Sequence, residues 1–217
     1  MKVFVDLDQV LIDWSAPAAE EINKFLADHQ HADLSWMNKE RQERVRHIAY
    51  LVVEELGRDF VMPEDMNKRY KPDQDTQDFV LPELAYAILA NHFKWWINLP
   101  WTPWGRHLWR MCKGLVPPED LFILSVPMKK MGAGLGSIAG KNLWVLKNLG
   151  AETNLILEGQ KDKYAMKNHG PHLLIDDTLS TIDKWQGRGG IGYHVKSGEI
   201  PNFDVIKRII KEGLKKS

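Results

Sequence analysis

Short apolar runs rich in β-branched and aromatic residues recur along the chain, separated by stretches with helical spacing. Lys2–Val5 is one such run, and the pattern returns at Leu121–Val126 (LFILSV), Asn154–Leu157 (NLIL) and His172–Ile175 (HLLI), with a weaker repeat at Ile191–Val195. Continuous runs of this length suit buried strands. Between them, Gly136–Leu149 closed by Gly150, then Leu179–Gly187 and Phe203–Leu214, place apolar residues three and four apart, as helices do. Strands alternating with helices from residue 121 onward predict an α/β fold: a Rossmann-like parallel sheet flanked by helices, joined by the first strand.

The interval from Trp14 to Gly114 has a different pattern. Helices are expected over Asn38–Leu56, which ends at Gly57, over Leu81–Trp96 after the turn-rich KPDQDTQD, and over Trp104–Lys113. A helical insertion after the first strand of such a core reads as a cap or lid. The expected division is a core of residues 1–14 and 115–217, with a mainly helical cap and connecting segments over 15–114.

Composition narrows the partners. The 217 residues contain 29 basic and 29 acidic side chains, so no stable nucleic-acid binding is expected and any anionic ligand must be met locally. A single cysteine, Cys112, excludes an internal disulfide framework and a cysteine-rich zinc site. No apolar run reaches membrane-spanning length and no signal-peptide pattern precedes Asp6, so a soluble, cytoplasmic protein is expected; a homodimer is left open.

The candidate chemistry lies at strand ends, where ligands of open parallel sheets bind. Asp6 and Asp8 follow the first strand, Ser125 ends the second, and Asp176 and Asp177 follow HLLI. Alternation along an extended chain lets Asp6 and Asp8 project to one side, with Asp176 approaching from a neighbouring strand. Clustered carboxylates need a cation among them, and an oxygen-only set suits Mg²⁺ held together with substrate phosphate. One carboxylate can then attack phosphorus while a second, protonated, serves the leaving alkoxide; a hydroxyl and a lysine neutralise the transferred oxygens. Lys161, Lys163 and Lys167 precede HLLIDD.

In this order, DLDQVLID, ILSVP, QKDKYAMK and LLIDD resemble the four motifs of the haloacid dehalogenase-like (HAD) phosphohydrolases, and more narrowly the 5'(3')-deoxyribonucleotidases. AGKNLWVLKNLG and LLIDDTLSTIDKWQGRGGIGYHV are similar to that family too. The resemblance implies that Asp6 is the nucleophile and Asp8 the general acid/base. It implies that Asp6, Asp8 (through its backbone carbonyl) and Asp176 hold Mg²⁺, with Asp177 supporting them. Ser125 and Val126 would meet phosphate, and Lys163 would neutralise charge, with Lys167 as its rival. Three positions depart from the family: Gln9 replaces a glycine, Val126 a serine, and Thr178 an arginine. The substrate implied is a nucleoside monophosphate. Alternatives are another small phosphomonoester, a nucleic-acid 3'-phosphate, or noncatalytic nucleotide binding.

Nine tryptophans are many for this length, and Trp95, Trp96, Trp101 and Trp104 crowd together. Trp95 and Trp96 are the candidates for stacking on a nucleobase, against the alternative that they fill a helical interface. KERQERVRH reads as a solvated helix face, and MKKMGAGLG as a loop that lacks the P-loop pattern.

Overall fold

Five of the apolar runs form one parallel sheet. The computed structural model describes residues 1–28, 34–35, 37–63, 65, 84, 88–90, 92–128, 135–167, 170–196 and 198–215. In chain order the strands are β1 (Val3–Val5), β2 (Leu121–Ser125), β3 (Asn154–Leu157), β4 (Met166–Lys167), β5 (Gly170–Pro171), β6 (Leu173–Asp176) and β7 (Ile191–His194). The main sheet runs β3-β2-β1-β6-β7, all parallel, while β4 and β5 pair separately and antiparallel. Val3 lies in register with both Leu121 and Leu173, so β1 is the central strand. Val3, Phe4 and Val5 are all buried, which is why this segment is apolar at every position rather than alternating.

Helices connect these strands: α1 (Ser15–Ala27), α2 (Lys39–Leu56), α3 (Phe93–Ile97), α4 (Gly105–Leu115), α5 (Leu135–Leu149), α6 (Leu179–Gly187) and α7 (Phe203–Lys215). The start and stop of α2 follow from its flanks: Asn38 Oδ1 accepts from Arg41 N at 2.9 Å, and Gly57 takes the left-handed φ of 61° after its last turn. On one face of the sheet Phe4 stacks on Phe122 and meets Trp185 edge-on, within a core that includes Leu124, Leu174 and Ile182. The Trp185 indole donates to His172 O at 3.0 Å, so its one polar atom is satisfied in that core. No helix among the described residues is long and apolar enough to cross a membrane.

The chain divides into two units: Met1–Asp13, Ile97–Pro127 and Ile138–Ser217 form the sheet unit, and Trp14–Trp96 with Met128–Ser137 form a helical unit. This moves the boundary expected at residue 114. Residues 97–115 belong with the sheet because Pro100 O accepts from Asp13 N, Leu11 O from Thr102 N and Leu99 O from the buried Trp144 indole. Helix α4 packs on α7, with the His107 ring edge-on to Phe203. Within the helical unit, Asn23 clamps Val61 through both its amide groups, donating to Val61 O and accepting from Val61 N. The helix expected over Leu81–Trp96 is described only in part; residues 81–83, 85–87 and 91 lie outside the described residues, and α3 is a separate short helix after His92. KPDQDTQD and residues 129–134 of MKKMGAGLG also lie outside them.

Candidate active site

The loop after β1 carries the first two carboxylates. Asp6 continues the sheet pairing by donating its N–H to Ile175 O at 2.9 Å, which fixes its backbone beside the end of β6. Its side chain turns back so that Oδ1 accepts from Leu7 N at 2.7 Å, and Asp6 is 5% exposed. The loop then closes on itself: Leu11 N and Ile12 N both donate to Leu7 O, and Gln9 N donates to Ile12 O. Gln9 has a φ of 57°, a left-handed conformation that favours glycine. That accounts for the glycine expected at this position on resemblance.

Neighbouring strand ends complete the cluster. Ser125 ends β2 and is fully buried; Asp176 ends β6, also fully buried, with Oδ1 accepting from Thr178 N at 2.8 Å. Asp177 follows, and its backbone carbonyl lies 2.8 Å from His194 Nε2. Carboxylate oxygens of Asp6, Asp176 and Asp177 all lie within 4.8 Å of one another. The Asp8 carboxylate takes a different course: Oδ2 accepts from Lys141 Nζ at 2.5 Å, and Oδ1 is buried with no hydrogen-bond partner. Among side chains, then, the third carboxylate beside Asp6 and Asp176 is Asp177, expected as a supporting residue, rather than that of Asp8.

The lysine expectation needs correction. Lys161, not Lys163, enters the cluster, with Nζ 2.9 Å from Asp6 Oδ1 and 2.7 Å from Asp176 Oδ2. Lys163 faces outward and pairs with Glu158. The cause is the 3₁₀ turn over Lys161–Tyr164 that follows β3. At three residues per turn, positions two apart point to different sides, so only one of the two lysines can face the strand ends. Lys167 lies in β4, and its side chain is outside the described residues.

Burial dominates the electrostatics. It raises the Asp177 carboxyl well above the ordinary range, with the charges of Asp6 and Asp176 pushing the same way. Asp176 is raised by burial and then by Asp6. Asp8 is raised by burial, with Lys141 opposing. Burial alone would depress Lys161, but Asp6 and Asp176 outweigh it and hold the ammonium above the ordinary lysine range. Three carboxylates around one ammonium still leave excess negative charge, and the donors are all hard oxygens. These residues therefore fit a hard divalent cation of the Mg²⁺ type.

Val126 is 43% exposed at the end of β2, and its carbonyl accepts from Lys141 at 2.7 Å. Trp95 and Trp96 lie in the helical unit, edge-to-face with centroids 4.9 Å apart, and the Trp96 indole donates to Leu89 O. They are 8% and 1% exposed, so neither ring presents a free face for stacking. Lys141 was not anticipated. It is fully buried and stands at helical spacing with Ile138, Trp144 and Val145, so the available signal was a lysine on the apolar stripe of its helix.

No family model matches the chain, and no curated protein matches it. Among solved structures, the chain is similar to a HAD-superfamily hydrolase from Ehrlichia chaffeensis at 15% identity and a TM-score of 0.46, over 98% of this chain and 97% of the other. A HAD family enzyme, bt-2542, from Bacteroides thetaiotaomicron in its magnesium complex matches at 14% identity and a TM-score of 0.41, over 94% and 97%. L-2-haloacid dehalogenase from Xanthobacter autotrophicus matches at 12% identity and a TM-score of 0.43, over 96% and 81%.

Proposed function

We propose that the chain is a HAD-like, Mg²⁺-dependent phosphomonoester hydrolase whose substrate is a nucleoside monophosphate. The observation that carries this reading is the convergence of Asp6, Ser125 and Asp176 at the carboxyl ends of adjacent parallel strands, with Asp8, Asp177 and Lys161 gathered around them. Asp6, Asp176 and the backbone carbonyl of Asp8 would hold the cation, with Asp177 beside them. When bound, Mg²⁺ would draw the phosphoryl oxygens toward the carboxylates and offset their charge.

Among the described residues, Leu7 N donates to Asp6 Oδ1 and the Lys161 ammonium pairs with the same oxygen. That leaves Oδ2 to attack phosphorus. A bond forms between Oδ2 and phosphorus as the ester P–O bond breaks, and the departing alkoxide takes a proton from the Asp8 carboxyl to leave as an alcohol. Burial raises Asp8 in the direction that keeps such a proton available. In the second half Asp8, now a carboxylate, takes a proton from water as the water oxygen attacks phosphorus. The aspartyl P–O bond breaks, and Asp6 and inorganic phosphate are released. Lys161 stabilises the Asp6 carboxylate before attack and the charge on the transferred oxygens during it.

Phosphate release from nucleoside monophosphates, sugar phosphates and a 3'-phosphorylated oligonucleotide, with Mg²⁺ and with chelator, tests the proposal. Turnover that is greatest on nucleoside monophosphates and abolished by chelator is expected. No release from any ester would overturn the enzymatic reading, and chelator-insensitive release would overturn the metal. Asp6→Asn should abolish release while leaving the melting temperature within a few degrees of wild type.

A further inference from the structure

Lys141 is a charged side chain placed where a helix otherwise presents apolar residues to the core. It is fully buried, and its ammonium has three acceptors: Asp8 Oδ2 at 2.5 Å, Ser125 Oγ at 3.1 Å and Val126 O at 2.7 Å. Burying an ammonium is costly unless its donors are met, and these oxygens meet them. Two of those oxygens belong to groups the proposed reaction uses, and they come from different strand ends. One lysine on α5 therefore ties the loop after β1 to the end of β2.

We propose that Lys141 is a positioning residue that makes the two oxygens of Asp8 inequivalent and fixes the direction of the Ser125 hydroxyl; the inference rests on the phosphomonoesterase reading above. An ammonium only donates. Asp8 Oδ2, accepting from it, cannot carry a proton directed at Lys141, and Oδ1 is the oxygen to which this role assigns the acid proton. Oδ1 is the oxygen that is buried and takes no hydrogen bond. In the same way Ser125 Oγ uses a lone pair on Lys141, so its hydrogen points elsewhere and is available to a phosphoryl oxygen. The same ammonium thus orients the proton donor for the leaving group and a hydroxyl donor for the group being transferred. Lys161, by contrast, contacts Asp6 and Asp176 and neither of these two groups.

The test compares wild type with Lys141→Met, which keeps the length of the side chain and removes its charge. The readout is kcat/KM, which reports the first phosphoryl transfer, measured on a nucleoside 5'-monophosphate and on p-nitrophenyl phosphate. An alkoxide needs the Asp8 proton to leave, whereas p-nitrophenolate is a stable anion and needs little help. The variant is expected to lose about 100-fold or more on the nucleotide and less than about 10-fold on the aryl ester, in the range of one general acid. Ethylammonium added to Lys141→Ala should restore part of the nucleotide rate and leave the aryl rate nearly unchanged. Equal losses on both esters, or no rescue by amine in a variant that melts cooperatively, would overturn the positioning role alone. A wild-type protein that hydrolyses neither ester would overturn the phosphomonoesterase reading and, with it, this role. Should Lys141→Met fail to fold, Lys141→Leu, which likewise has no donor, carries the same two-ester comparison.

Discussion

Lys161 Nζ lies 2.9 Å from Asp6 Oδ1, whereas Lys163, two residues further along, turns outward to Glu158. The two lysines share a 3₁₀ turn and a similar distance in sequence from Asp176, yet only the first is buried. Lys161→Met is expected to lower kcat/KM on a phosphomonoester by about 100-fold or more, the scale of removing one preorganised stabiliser of developing charge. Lys163→Met should change it by less than about threefold, since an exposed pair contributes little. Steady-state kinetics on the same ester decides, and the reverse ranking would return the role to Lys163.

The contrast between these lysines shows where sequence reasoning stopped. Strands buried on both faces are continuous apolar runs, so β1, β2 and β6 could be read directly, and with them Asp6, Asp8, Ser125 and Asp176 as the residues at their ends; β3, a half-buried edge strand, shows the same apolar run. A carboxylate on a short side chain stays near its backbone, so its address along the chain is nearly its address in space. A lysine does not. Lys161 differs from Lys163 only in the phase of a turn, and Lys141 reaches Asp8 across 133 residues of sequence. The two units divide the chain elsewhere than expected for a related reason: the spacing of apolar residues in α4 predicts a helix with one buried face but not which unit it packs on.

Gln9 holds a left-handed φ of 57° in the loop between Asp6 and Asp13. A side chain there costs about 1–2 kcal/mol relative to glycine, partly offset by the greater freedom glycine gives the unfolded chain. Gln9→Gly is therefore expected to stabilise the protein by about 0.5–1 kcal/mol, a rise in Tm of roughly 1–4 °C at this length. Thermal melts measure it directly. A fall in Tm would mean that the Gln9 side chain contributes more than the strain it imposes.

The acidic cluster couples stability to pH with a definite sign. Burial and then the charges of Asp6 and Asp176 raise the Asp177 carboxyl well above its ordinary 3.8. A carboxyl raised on folding contributes stability that is fully present below its unfolded pKa and is lost as pH rises through the folded one. In chelator at neutral pH, Asp177→Asn should then melt above wild type, and the gap should close as pH falls toward 4. Adding Mg²⁺ at neutral pH should stabilise wild type more than the variant, because a cation offsets the same repulsion. A variant that melts below wild type in chelator at every pH would show that Asp177 contributes through its hydrogen bonds rather than its charge.

Cys112 is fully buried in α4, and burial pushes its thiol up to about 12. A thiol in that state has almost no thiolate at neutral pH. Folded protein is expected to be inert to a thiol-specific disulfide reagent at pH 7.5, and to react with one equivalent per chain once denatured. Fast labelling of the folded chain would indicate that α4 opens locally without global unfolding.

Two glycines at opposite ends of α4 should respond to alanine with opposite signs. A Cβ at Gly105 would meet Leu11 O at 2.6 Å, Thr102 Oγ1 at 2.8 Å and Leu11 Cα at 3.1 Å, whereas a Cβ at Gly114 would meet nothing within 4 Å. At Gly105 two of the three opposing atoms are backbone and cannot rotate away. Thr102 Oγ1 is already bonded to Val10 O, and Leu11 belongs to the loop whose hydrogen bonds run back to Leu7. Gly105→Ala must therefore push on the segment that carries Asp6 and Asp8, at a cost of about 1–3 kcal/mol. Gly114→Ala, inside the same helix and unobstructed, should gain about 0.5–1 kcal/mol from helix propensity. Melting temperatures test the signs, and kinetics test the consequence: Gly105→Ala should also lower kcat/KM by more than its small population of unfolded chain explains, while Gly114→Ala should leave it unchanged. Equal activity in the two variants would mean that the loop after β1 absorbs the displacement before it reaches the carboxylates.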